Sequence, residues 1–251
     1  MTAEYVPRQA IERSRTLAWV TALGATTAEA LSERDQLSVA AAKERLDEAV
    51  GLGLMGRHSL LVGYSDLYTV TRAGRKLARK HADAGGYSYP EGLRSARVTI
   101  RDARHTIACA SVVATLERSY PDHRVIAERE LHRDERNQRR RLASVSVLRH
   151  GHTRSHHPDI VLWPPLTAGE SPPLPIAVEV ELTMKSKEEL TAICRAFAGA
   201  SHIEAALYFA ETAKLEKRLL DTVERLNGEE RIVVVPLSAI VTSLPGFELS
   251  S

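Results

Sequence analysis

Cysteine is scarce in this sequence: the 251 residues include two, Cys109 and Cys194, and neither belongs to a CxxC pair. A disulfide framework and a thiolate zinc site are therefore excluded. Aromatic residues make up 5% of the chain, which leaves few platforms for stacking the bases of a single strand. No apolar run approaches the ~18 residues of a membrane helix, and the polar N-terminus has no signal-peptide pattern. These absences predict a soluble cytoplasmic protein with no membrane partner.

An excess of one charge sign is also lacking overall, since the formal net charge is only +2. The charges are nevertheless unevenly distributed along the chain. Residues 91–160 carry 14 basic and nine acidic side chains, whereas residues 161–251 carry eight basic and 13 acidic ones. The basic segment is compatible with a surface that binds a polyanion, although charged faces are more often simply solvated.

Helical periodicity and capping residues organise the first part of the chain. Ser38 is a typical N-cap, and Gly51 and Gly53 end the helix that it opens. Two short apolar runs separated by GYSD predict a hairpin. Helices are expected at residues 8–23, 27–35, 38–50 and 71–81, with the hairpin at residues 54–70. This order predicts a winged helix-turn-helix domain over residues 1–88, and a turn-rich stretch then separates it from a second domain at residues 89–251.

The N-terminal segment resembles prokaryotic winged-helix regulators in the stretches ERLDEAVGLGLM and LYTVTRAGRKLA. The resemblance implies that the third helix enters the major groove of double-stranded DNA and that the hairpin lies near the phosphates. The candidate DNA contacts are Ser38, Lys43 and Arg45 on the helix and Arg57 on the hairpin. The same helix carries three acids, so a winged helix used for dimerisation or protein contact remains an alternative, and a homodimer is left open.

The second domain alternates helix and strand. Helices are expected at residues 102–118, 187–199 and 213–227, and strands at residues 124–131, 159–163, 176–183, 205–210 and 231–237. The order α-β-β-β-α-β-α-β predicts a mixed α/β fold, in which helices cover the faces of a mixed sheet.

Acidic residues fall on two of these predicted strands. Asp159 begins one, and Glu179 and Glu181 share one face of the next, since side chains alternate along a strand. Buried carboxylates need a cation or hydrogen bonds to offset desolvation. Asp159 and Glu179 are therefore candidates for holding Mg²⁺ or Mn²⁺, with Lys185 or Lys187 just beyond the strand. A structural ion-pair cluster with Lys185 and Arg195 is the alternative.

These acids give the domain a resemblance to the PD-(D/E)XK nuclease superfamily. It rests on His157-Pro158-Asp159, the IVLW that follows, and Glu179-Val180-Glu181. The resemblance implies that Asp159 and Glu179 are metal ligands and that Glu117 is the acid of the first helix. The sequence has Glu181 where the superfamily has lysine, and Lys185 is the candidate for a displaced amine.

The two halves together resemble the replication-relaxation family of mobile elements, over residues 10–237. The matching features are His105, Pro158-Asp159 and the stretch Glu179–Lys185. Membership would imply a DNA-linked role in plasmid or mobile-element replication or transfer, whether or not the nuclease-like domain cuts.

Residues 132–157 contain seven arginines, five histidines and two acids. The densest basic run is Arg139-Arg140-Arg141, which we expect to contact phosphates from a loop or hairpin. A flexible, solvated insertion is the alternative. The histidine spacing is not typical of a zinc site.

Three functions follow as hypotheses. The first is a protein that binds double-stranded DNA and carries a degenerate nuclease-like domain. The second is an active Mg²⁺- or Mn²⁺-dependent endonuclease that uses Asp159 and Glu179, with Glu181 and Lys185 completing the catalytic set. The third is a winged-helix transcriptional repressor.

Overall fold

The structure is a computed structural model that describes residues 6–149, 151–166 and 171–242. The chain divides into two compact units, Met1–Ala114 and Thr115–Ser251. The domain boundary expected after residue 88 stays a prediction. Within the described residues, no helix has both the length and the apolar content needed to cross a membrane.

The first unit consists of short helices and a two-stranded antiparallel sheet. The hydroxyls of Thr27, Ser38 and Thr71 each accept a hydrogen bond from a backbone N–H in the first turn of the following helix, and the predicted N-cap Ser38 is thereby confirmed. The elements are α1 (Arg8–Leu23), α2 (Ala28–Asp35), α3 (Val39–Gly51), β1 (Met55–His58), β2 (Leu67–Val70), α4 (Arg72–Lys80), α5 (Ala82–Gly85) and the start of α6 (Ile100–Ser119).

The sheet of the first unit ties its helices together. β1 and β2 are antiparallel, and Thr26 forms an additional antiparallel bridge with Tyr68 of β2. The ring of Tyr68 is buried, and its hydroxyl donates to Oδ1 of Asp47 on α3 at 2.9 Å. Helix α4 approaches the loop before β1 so closely that a Cβ on Gly74 would lie 2.2 Å from the carbonyl oxygen of Leu54. Glycine at position 74 therefore permits this contact.

The second unit is built on a five-stranded mixed sheet with the order β3-β6-β7-β8-β9. β3, β6 and β7 pair antiparallel, whereas β7, β8 and β9 pair parallel. The elements are β3 (Arg124–Ala127), α7 (Glu128–Gln138), β4 (Val145–Arg149), β5 (His152–His156), β6 (Ile160–Trp163), β7 (Ile176–Glu181), α8 (Lys187–Ala198), β8 (Ala205–Ala210), α9 (Ala213–Arg225), β9 (Ile232–Pro236) and a 3-10 helix (Leu237–Thr242). The prediction of a mixed α/β fold is confirmed.

β4 and β5 form a separate antiparallel ribbon that packs against α8. Val145 and Val147 of the ribbon belong to the same buried cluster as Phe197 of α8 and Tyr208 of β8. The ribbon therefore contributes to the core of the second unit, and this part of residues 132–157 is not a solvated insertion.

The strand expected at residues 124–131 is wrong in its second half. The strand ends at Ala127, and α7 begins at Glu128, whose N–H donates to the carbonyl oxygen of Asp159 at 2.8 Å. Glu128 and Glu130 lie in the first turn of α7, where negative charge is favoured by the helix dipole. The alternation that resembled a strand is the start of a polar helix with one buried face.

Glu135 fixes the turn that follows α7. Its Oε1 accepts bonds from the N–H groups of Leu142, Ala143 and Ser144 at 2.8, 3.1 and 2.9 Å, and its Oε2 accepts from the Ser144 hydroxyl at 2.7 Å. Burial alone would raise the pKa of Glu135, but these hydrogen bonds outweigh it and lower the pKa below its ordinary value. The ionised carboxylate thus fixes residues 142–144, which directly follow the turn at residues 139–141.

We expect the substitution Glu135→Gln to lower the free energy of unfolding by about 1–3 kcal/mol at neutral pH, because a charged buried acceptor is lost. Since the folded-state pKa is depressed, the stabilisation is complete above the pKa of an unfolded glutamate and disappears as the pH falls through the folded value. Urea denaturation as a function of pH measures both effects. The exposed Glu229→Gln is the control, and equal midpoints for the two variants would contradict the expectation.

Candidate functional site

The acids predicted from the sequence lie where β6 begins and β7 ends. The antiparallel register pairs Ile160 with Val178, which places Asp159 opposite Glu179 one step further along. Oδ2 of Asp159 accepts a bond from the N–H of Val180 at 2.8 Å. Asp159 is thereby fixed against the backbone of β7, beside the two glutamates of that strand.

Glu179 is buried with a histidine as its partner. Its side chain lies in the interior with 4% of the residue exposed, and Oε1 is 2.8 Å from Nε2 of His156 at the end of β5. Burial raises the pKa of Glu179, the contact with His156 opposes the rise, and the charge of Asp159 adds to it. Burial lowers the pKa of His156, but the contact with Glu179 outweighs this and the net shift is upward. The contact with Glu179 therefore favours the charged form of His156.

Glu181 is the second buried acid of β7, with 3% of the residue exposed, and Lys185 donates to its Oε2. Burial lowers the pKa of Lys185, but the attraction of Glu181, followed by Glu179 and Asp159, raises it overall. Lys185 thus remains charged, with Glu181 as its hydrogen-bond partner. Arg195, expected as a partner of these acids, is exposed on α8, and His156 supplies the second cation.

The structure brings together Asp159, Glu179, Glu181 and Lys185. Glu117 lies partly buried on α6, and its role as a metal ligand stays a prediction. The charged neighbours of Glu179 are His156, Asp159 and Lys185. Sequence reasoning missed His156. Its only signal is its position three residues before Asp159. Residues 132–157 contain five histidines, and the sequence offers no basis for choosing among them.

Three carboxylates in one place are hard oxygen donors, so Asp159, Glu179 and Glu181 fit Mg²⁺ or Mn²⁺ in ligand type. Two of these carboxylates already have basic side chains as partners, since His156 contacts Glu179 and Lys185 contacts Glu181. A divalent ion would compete with these cations for the carboxylates. The arrangement is thus chemically able to hold a metal and is also electrostatically stabilised by side chains alone.

A groove between the β4–β5 ribbon and α8 reaches His156. Its volume is about 310 Å³, and its basic lining consists of two arginines and two histidines from the ribbon. Arg149 pairs with Glu189 of α8 at 3.0 Å, while Arg154 and His152 are exposed. His156 lines this groove and also contacts the buried Glu179.

The residues predicted to contact DNA from the first unit are engaged in local interactions. Ser38 accepts the N–H of Ala41 at 3.1 Å and caps α3. Each of the three predicted cations has an acidic partner within the unit. The pairs are Lys43–Asp47, Arg45–Asp35 at 2.7 Å, and Arg57–Asp66. A phosphate at α3 would have to displace these acids.

The arginine run after α7 has a different environment. Arg139, Arg140 and Arg141 are all exposed. Arg139 ends α7 with a left-handed φ of 50°, and Arg140 donates from Nε to the side-chain oxygen of Gln138 at 3.1 Å. No acid among the described residues forms an ion pair with these three side chains. Their positive charge is therefore available to an anion from solvent.

Comparison with protein-family models gives no match, and comparison with curated proteins gives none either. The resemblance to the replication-relaxation family, and to the nuclease superfamily within it, therefore stays a prediction. Two features of the described residues bear on function: the arrangement of acids and cations in the second unit and the exposed basic residues of both units.

We expect Lys185→Met to reduce the free energy of unfolding by about 3 kcal/mol, because it leaves the buried carboxylate of Glu181 without its cation. The double variant Glu181→Gln/Lys185→Met is expected to recover part of the loss, since both charges are then removed. Lys187→Met, at an exposed position, is the control. Chemical denaturation of wild type, Glu181→Gln, Lys185→Met and the double variant forms a double-mutant cycle, and additive effects would show that the pair is not coupled.

Proposed function

We propose that this chain is a double-stranded-DNA-binding protein, in which a winged helix precedes a degenerate PD-(D/E)XK nuclease-like domain, and that it acts in plasmid or mobile-element replication, transfer or its regulation. The observation that carries the proposal is the exposed turn of Arg139, Arg140 and Arg141, held by the buried Glu135. Guanidinium groups bind phosphate oxygens in a fixed fork geometry, and an anchored turn presents them together.

The first unit supports the winged-helix part of the proposal. Helices α2 and α3 are separated by residues 36–38, which is the spacing of a helix-turn-helix motif. The β1–β2 pair follows directly, and the bridge between Thr26 and Tyr68 extends it to a third segment. In helix-turn-helix proteins the second helix of the motif enters the major groove. By this analogy α3 is the helix nearest the bases.

The second unit supports the description of the nuclease-like domain as degenerate. Asp159 and Glu179 lie opposite each other on neighbouring strands, as a metal site of this kind requires. The amine of Lys185, however, is bound to Glu181, and Glu179 is bound to His156. Because these cations already compensate the buried acids, binding to DNA does not require this domain to hold a metal or to cut.

The DNA-binding proposal predicts an affinity that depends steeply on salt, with a slope of about −0.9 in log K against log salt for each phosphate contacted. Neutralising Arg139, Arg140 and Arg141 to Gln is expected to reduce the magnitude of this slope by about two to three. Fluorescence anisotropy of a labelled duplex, titrated at several salt concentrations, measures the slope.

The control for this experiment replaces the same three arginines by lysine, which keeps the charge and is expected to keep most of the slope. Wild-type protein that fails to bind, or that binds independently of salt, would refute the proposal. An unchanged slope in the Gln variant would assign binding to other residues.

An active Mg²⁺- or Mn²⁺-dependent endonuclease is the second candidate, favoured by the convergence of Asp159, Glu179 and Glu181. A divalent ion, when bound, supplies Lewis-acid polarisation of a phosphate and lowers the pKa of water. The chain's own residues would orient the phosphate, and Lys185 would add positive charge near it.

Incubating supercoiled plasmid with each metal and either wild type or Asp159→Asn decides between binding and cleavage. Asparagine keeps an acceptor for the N–H of Val180 but removes the charge that a metal needs. We expect cleavage by the wild type, and by the exposed control Glu188→Gln, to be lost in Asp159→Asn if the site is active. Equal cleavage by all three proteins, or by none, would reject the endonuclease.

A further inference from the structure

Helix α4 carries the densest positive charge of the first unit. Its nine residues include five cations and no acid: Arg72, Arg75, Lys76, Arg79 and Lys80. The helix is anchored on its other side, where Gly74 and Ala78 are buried and Gly74 lies against the carbonyl of Leu54. The packing of α4 therefore turns its basic face outward.

A groove of about 420 Å³ runs along this face, closed on its far side by the segment at residues 89–94. Its lining includes one acid, Glu91, which pairs with Arg79 at 2.8 Å. Arg72 and Lys76 are exposed and have no acidic partner among the described residues. The groove is thus an open site with an excess of positive charge.

Arg75 is held in the groove by neutral oxygens. Its Nε donates to the hydroxyl of Ser95 at 3.2 Å, and its Nη1 donates to the carbonyl oxygen of Leu93 at 3.0 Å. These acceptors orient the guanidinium without cancelling its charge. An oriented cation loses less conformational entropy when it binds an anion, so Arg75 is preorganised for this role.

The spacing of the cations fits a nucleic-acid strand better than a single small anion. Arg72, Lys76 and Lys80 are four residues apart, which at about 1.5 Å per residue places them about 6 Å apart along the helix. A row of about 12 Å is longer than a single phosphate group, so it can contact more than one phosphate of a DNA strand. A membrane surface fits less well, because α4 exposes no large apolar side chain for insertion.

Resting on the proposed function, we infer that the groove along α4, rather than the paired cations of α3, is the surface with which the first unit binds the phosphate backbone of double-stranded DNA. On α3 each cation has an acidic partner, Glu44 adds exposed negative charge, and Glu48 pairs with Arg13. Backbone binding by α4 is independent of sequence, because phosphates carry no base information.

The test compares duplex binding by the full chain with binding by Arg72→Gln/Lys76→Gln, using anisotropy across a salt series. We expect the slope of log K against log salt to fall in magnitude by about two, because two phosphate contacts are lost. The control Lys214→Gln/Lys217→Gln removes the same charge from exposed positions of α9 and is expected to leave the slope unchanged. The charge-conserving Arg72→Lys/Lys76→Arg checks that folding is not the cause.

Several results would overturn the inference, and they separate it from the proposed function. If the wild type binds and Arg72→Gln/Lys76→Gln binds with the same slope, the α4 groove is not the surface while DNA binding stands. If the wild type does not bind duplex at all, both fail. Binding of the wild type to phosphatidylcholine–phosphatidylserine vesicles, lost in Arg72→Gln/Lys76→Gln while duplex binding persists, would assign the groove to a membrane surface instead.

Discussion

The second unit depends on the compensation of two carboxylates buried in its central strand. All six residues of β7 are buried, and two of them, Glu179 and Glu181, are acids. An uncompensated charge in such a place costs several kcal/mol, roughly as much as the net stability of a small domain. Cationic side chains from other segments of the chain must therefore lie next to this strand. His156 comes from the end of the β4–β5 ribbon, and Lys185 comes from the loop that leads into α8.

The contact of His156 with Glu179 places the end of the ribbon beside β7, and the basic turn at residues 139–141 lies just before the ribbon in the chain. The ring of His156 packs edge-on against Phe197 of α8, while the carbonyl of Ser144 accepts a bond from His202 at 2.9 Å. Ser144 also binds Glu135. Contacts through the ribbon thus extend from the buried Glu179 to Glu135 and residues 142–144, which follow the exposed arginines. The contact between His156 and Glu179 joins the basic segment, residues 91–160, to the acidic segment, residues 161–251, in the interior of the second unit.

Most elements could be predicted because their patterns are local. The alternation in β7 and the hydroxyl caps of α3 and α4 are visible within a few residues of sequence. The start of α7 was not predictable in the same way, since EREL satisfies both a strand and a helix, and contact with Asp159 decides between them. The role of His156 depends on the register of the ribbon, and the pairing of Arg45 with Asp35 depends on how α2 meets α3. By contrast, the Lys43–Asp47 pair follows from its spacing of four residues.

The proposed helix-turn-helix does not by itself determine which face of the first unit would meet a polyanion. The cations of α3 stabilise the unit by pairing with Asp35 and Asp47, and a phosphate placed there would separate these pairs and lie beside the freed carboxylates. On α4, Arg72 and Lys76 carry no such cost, because neither has an acidic partner among the described residues, and Arg75 is oriented by neutral oxygens. The electrostatic energy of bringing a phosphate close is therefore lower at α4 than at α3. Within this unit, the position of α3 in the proposed motif favours contact with the bases. The charge of α4 favours binding to the phosphate backbone.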